Sequence, residues 1–120
     1  MGLWKLMLMK RMSRFRLGDK LDKKVVQAVL ERSGGLCEVC SSAYLVELHH
    51  IVYGSGKRRQ HENEHSVIAL CWHCHRGTNG VHGKNGKELD LYLKRKLQEK
   101  YFSMGYSEDE VRELMGGKLY

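Results

Sequence analysis

The sequence predicts a small α+β domain in which two short strands are flanked by an N-terminal helix and C-terminal helices, and in which a metal ion holds two loops together. Three observations carry that expectation. Two C-x-x-C pairs, Cys37/Cys40 and Cys71/Cys74, have the spacing of zinc knuckles. Two apolar runs, each adjoining one of those pairs, can lie antiparallel. Helical periodicity recurs on both sides of them. The chain of 120 residues has room for one compact domain. Residues 1–18 are read as a basic N-terminal arm and a candidate for disorder, 19–104 as the metal-binding domain, and 105–120 as a short C-terminal helix.

Composition sets the demand for the ion. Hydrophobic residues make up 42% and aromatics only 8%, with 13 glycines, so the buried core is thin. Domains of this size often take extra stability from a metal or from disulfides. The N-terminal run Leu3, Trp4, Leu6, Met7, Leu8, Met9 is too short for a signal sequence or a membrane span. A cytoplasmic, reducing setting with thiolates on a metal is therefore expected, with no membrane partner. Met12 is a candidate alternative start. Lysine and arginine number 21 against 14 acidic residues, a formal charge of +7, which favours nucleic acid as a partner through counterion release.

The elements follow in order. Asp19 or Asp22 can cap a helix whose apolar positions are Val25, Val26, Val29 and Leu30, and Gly34-Gly35 stops it. Residues 36–40 form the first knuckle, 44–52 alternate as a strand, and 54–64 read as a polar loop. A second apolar run at 67–70 leads into the second cysteine pair. Leu89, Tyr92, Leu93, Lys96, Leu97 and Tyr101 mark an amphipathic helix that ends before Gly105. Ser107 and Glu110 form a capping box for a last short helix ending near Gly116-Gly117.

Two thiolates of one C-x-x-C turn can reach the same tetrahedral ion, so Cys37, Cys40, Cys71 and Cys74 are expected to bind one structural Zn²⁺. A redox dithiol would need one pair in a thioredoxin-like setting, which is lacking. Zinc held by four thiolates has no open position. It accounts for folding and not for chemistry.

Histidine supplies the reactive candidates. His49 and His50 fall at the end of the predicted strand, His75 follows Cys74, and His82 lies further on. Neighbouring residues of a strand face opposite sides, so one of the pair can face a metal shared with His75 and His82 while the other faces a substrate. His61, His65 and His73 read as ordinary structural or surface residues.

In order and spacing, Cys37-x-x-Cys40, Leu48-His49-His50-Ile51, and Val67-Ile68-Ala69-Leu70-Cys71-x-x-Cys74-His75 with His82 beyond resemble the HNH endonucleases of the ββα-metal (His-Me finger) fold, over roughly residues 25–85. The resemblance implies a DNA-cleaving phosphodiesterase in which His50 is the general base. It implies that His49, His75 and His82 hold one catalytic divalent ion (Mg²⁺, Mn²⁺, Ni²⁺ or Zn²⁺). Two positions depart from the family. The middle asparagine, which braces the loop and orients the base, is replaced by Ser66, with His65 and Asn63 nearby. The last ligand usually falls four residues after the first, and that position is Asn79, an alternative to His82. Small relatives of this kind often belong to phages or mobile elements, which implies a bacterial or phage setting and a homodimer or larger complex as candidate assemblies.

Lys57, Arg58, Arg59, Arg76 and Lys84 are candidate phosphate contacts, with Lys87 nearby, whereas Lys94-Arg95-Lys96 read as a solvated helix face. Two other readings stay open: a zinc-stabilised nucleic-acid-binding or adaptor module without catalysis, and a purely structural two-zinc protein.

Overall fold

The computed structural model describes residues 22–53 and 62–120. The fold is α+β: a two-stranded antiparallel sheet and four helices among the described residues. The basic arm and Lys57, Arg58, Arg59 and His61 lie outside the described residues.

Helix α1 (Lys23–Ser33) begins where the Asp22 carboxylate accepts a hydrogen bond from the Lys24 backbone N–H at 2.8 Å. It ends at Gly34, whose φ of 67° is a left-handed conformation that glycine adopts without strain. Val25, Val29 and Leu30 form its buried face against the sheet.

Strands β1 (Glu47–His50) and β2 (Val67–Leu70) pair with Glu47 opposite Leu70 and His50 opposite Val67. The first strand is shorter than the alternation over 44–52 predicts. Leu45 has a positive φ of 44°, and the Tyr44 carbonyl turns to accept from the Trp72 backbone N–H. Chain reversal beside the cysteines overrides local alternation there.

The second cysteine pair is not a bare knuckle. Cys71 caps helix α2 (Trp72–Arg76), so that Cys74 follows Cys71 by nearly one turn. The first knuckle is fastened to the strand leading into the second by Glu38. Its backbone N–H bonds to the Ala69 carbonyl, and its Oε2 accepts from the Ala69 N–H at 2.8 Å. Arg32 of α1 grips the Glu38 carboxylate and also donates to the Val67 carbonyl at 2.7 Å.

Helix α3 (Lys87–Ser103) buries Leu93, Leu97 and Tyr101. Helix α4 (Glu108–Leu114) starts with the expected Ser107/Glu110 capping box and packs on α3, with Val111 and Met115 completing the same core. The chain end returns to α3, where Gln98 exchanges two hydrogen bonds with the Tyr120 backbone. No described helix is long and apolar enough to cross a membrane.

Tyr101 also reaches the sheet side. Its hydroxyl accepts from Asn63 Nδ2 at 2.9 Å, which anchors the turn before β2. Tyr101→Phe removes that hydrogen bond, so unfolding free energy falls by about 0.5–1.5 kcal/mol in urea titration, with an unchanged slope.

Candidate functional site

Two clusters of metal-ligating side chains form among the described residues. In the first, the Sγ atoms of Cys37, Cys40, Cys71 and Cys74 all lie within 4.8 Å of one another. Cys40 and Cys71 are 3.6 Å apart and Cys40 and Cys74 3.8 Å. Zn–S bonds of ~2.3 Å in a tetrahedron give an S···S edge of about 3.8 Å, so the four sulfurs fit one zinc ion. Disulfide sulfurs would stand ~2.05 Å apart. Burial pushes the Cys37 thiol up, but hydrogen bonds from the backbone at Cys71, Cys40 and Val39 outweigh it and bring the group to about 7. Burial and the thiols of Cys71, Cys37 and Cys40 push Cys74 up. Four thiolates this close repel unless a cation sits between them.

In the second cluster, one ring nitrogen from each of His49, His75 and His82 lies within the same mutual range. Ring centroids are 5.2 Å apart for His49 and His75, 5.1 Å for His49 and His82, and 4.8 Å for His75 and His82. Each histidine comes from a different element. Glu47 and His49, two apart on β1, share the face turned to α2.

His82 arrives by an unusual route. Gly77, Gly80, Gly83 and Gly86 recur at every third position between α2 and α3, and the N–H of each of the last three bonds to the carbonyl of the glycine before it. A Cβ on Gly80 would lie 2.5 Å from the His73 carbonyl oxygen, and one on Gly83 would overlap the Gly77 carbonyl. Only glycine lets the turns pack this tightly. The His82 N–H then bonds to the His75 carbonyl at 2.9 Å, and its ring meets the other two. Asn79, the alternative ligand, is exposed on the preceding turn. The glycine period was visible in the sequence, but its consequence for His82 was not.

Glu47 is a site residue that sequence reasoning missed. Its buried carboxylate receives Arg76 Nε at 2.7 Å and Arg76 Nη2 at 3.1 Å, and Oε1 lies 3.2 Å from His75 Nδ1. Burial pushes Glu47 up, but Arg76 and His75 together hold it below the usual carboxylate range. Burial pulls His75 down, His82 and Arg76 add to this, and Glu47 opposes it. The neutral ring that results is the form that ligates a metal, and with Nδ1 on Glu47 its Nε2 is left for an ion. Arg76, expected as a phosphate contact, pairs with Glu47 through Nε and Nη2 while its side chain stays exposed. Lys84 is exposed.

His50 is turned away from this cluster, toward the amino end of α1. It is buried, and its Nε2 lies 2.7 Å from Glu62 Oε1. Its Nδ1 is buried with no hydrogen-bond partner among the described residues. Ser66 is buried too. Its hydroxyl donates to the Asn63 carbonyl at 3.1 Å and accepts from the Asn63 N–H at 3.0 Å. Asn63 Oδ1 accepts from the N–H groups of His65 and Ser66, and the Ser66 carbonyl accepts from Ile51, next to His50. Asn63 and Ser66 together brace the loop. Among the remaining histidines, His73 stacks on Tyr44 and His65 lies 3.6 Å from Glu64.

No family model matches the chain, and no curated protein or solved structure is significantly similar to it.

Two outcomes follow from the geometry. Cys37→Ser leaves three sulfurs for a four-coordinate ion, so zinc content by elemental analysis falls well below that of the wild type and cooperative thermal unfolding is lost. Glu47→Ala removes the brace on His75 and lowers affinity of the histidine cluster for Zn²⁺ or Ni²⁺ about 10–100-fold in calorimetric titration, while the thiolate-bound zinc stays in place.

Proposed function

We propose that this chain is a metal-dependent endonuclease of the HNH type that hydrolyses phosphodiester bonds of DNA. The observation that carries the reading is the meeting of His49, His75 and His82 within reach of one ion; His50, next to His49 on β1, has Nε2 held by Glu62 and Nδ1 without a partner among the described residues. Two antiparallel strands followed by a short helix support the reading.

Three imidazoles and no carboxylate favour Zn²⁺ or Ni²⁺ over Mn²⁺ and Mg²⁺. The ion, when bound, supplies positive charge to the scissile phosphate, to the transition state and to the departing 3′ oxygen. Glu47 and Arg76 keep His75 pointed at the ion. His50 takes a proton from water, the water oxygen forms a bond to phosphorus as the bond to the 3′ oxygen breaks, and the leaving oxygen is protonated by solvent. The zinc held by cysteines takes no part in these steps. It fixes α2, and with it His75. The formal charge of +7 supports a polyanionic substrate.

Nicking of supercoiled plasmid across Mg²⁺, Mn²⁺, Ni²⁺ and Zn²⁺ tests the reading. Wild-type protein nicks with at least one of these ions and stops on addition of chelator. His50→Ala lowers the rate about 10²–10⁴-fold with zinc content and thermal unfolding unchanged. Binding of DNA without cleavage under every ion overturns the enzyme in favour of a binding module, and full cleavage by His50→Ala removes His50 from the mechanism.

A further inference from the structure

Glu62 lies in the polar loop, and no motif marks it in the sequence. In the structure both of its carboxylate oxygens are engaged. Oε1 is 2.7 Å from His50 Nε2, and Oε2 accepts from the Asp22 backbone N–H at 3.1 Å. The side chain is 11% exposed and that of His50 6%. Glu62 thereby joins the start of α1 to the end of β1 through the His50 ring.

An ionised carboxylate only accepts hydrogen bonds, so the His50 nitrogen facing it carries the hydrogen. In the neutral ring the other nitrogen, Nδ1, then holds the lone pair. That atom is buried without a partner among the described residues. A buried acceptor in this state is destabilising, a cost that a water or substrate group donating to it would remove. Ser66 and Asn63 brace the turn that follows Glu62, but neither provides a hydrogen bond to the His50 ring among those described.

From this we infer that Glu62 is the positioning residue for His50: it fixes the ring orientation and places the proton on Nε2, which leaves Nδ1 as the atom that accepts the proton from water. The inference rests on the nuclease reading for its catalytic consequence, and on geometry for the ring state. A carboxylate here does for the ring what the missing asparagine is expected to do in the family. Only this juxtaposition, and neither residue alone, selects the nitrogen.

Long-range ¹H–¹⁵N spectra of the zinc-loaded full chain read the ring directly, with His50→Ala assigning the signals. Wild type shows His50 protonated at Nε2 and bare at Nδ1. Glu62→Gln retains that tautomer, because the amide oxygen still accepts from Nε2, whereas Glu62→Ala yields a mixture. In the plasmid assay Glu62→Ala lowers kcat about 10–100-fold with KM within about two-fold, and Glu62→Gln restores most of it. Thermal unfolding of each variant separates loss of the Asp22 contact from loss of positioning. A wild-type His50 protonated at Nδ1, or a Glu62→Ala variant with unchanged tautomer and kcat, overturns the inference. A wild type with the expected tautomer that nicks with no ion overturns the nuclease reading and, with it, the catalytic consequence of Glu62.

Discussion

Four sulfurs drawn within 4.8 Å of one another close a loop that contains both strands, and the placement of Glu47, His49 and His75 follows from that closure. Cys37 and Cys40 lie just after α1, while Cys71 and Cys74 open α2, so an ion between them fixes both ends of the sheet. Without a cation the thiolates repel and the thin core has little else to hold the loop. Glu38 and Arg32 show how the closure is transmitted. The residue inside the first knuckle pairs with Ala69 through its backbone and its carboxylate, and Arg32 ties both to the helix above.

The second cluster inherits this order. His75 directly follows Cys74 of the sulfur cluster, so the orientation of α2 sets its ring, and Glu47 on the neighbouring strand holds the Nδ1 side. Arg76 neutralises the buried carboxylate, which would otherwise be costly to keep ionised beside the sheet. His82 depends on a different device. The glycine-spaced turns hold its backbone against that of His75, and its ring thereby reaches the other two.

Much of this architecture is readable in the chain itself. The helix over Lys23–Ser33, the strand at Val67–Leu70, the α3 stripe of Leu93, Leu97 and Tyr101, and the Ser107 capping box all rest on interactions between residues close in sequence, and such interactions leave a periodic trace. The cysteine cluster was legible because C-x-x-C spacing itself brings two sulfurs to one side of a turn. The shortening of β1 left no such trace, since it results from Tyr44 bonding to Trp72 across the fold.

The sequence by itself determined the α+β class, the cysteine set and the identity of the histidines worth considering, because those follow from residue type and local spacing. Only the tertiary structure decided that His82 completes the group, that Arg76 faces Glu47, and that Glu62 and Asn63 stand behind His50 and Ser66. These are contacts between elements far apart in the chain. Their partners are polar residues that occur throughout any soluble surface, and nothing but the packing of the sheet against α1 and α2 distinguishes the few that meet.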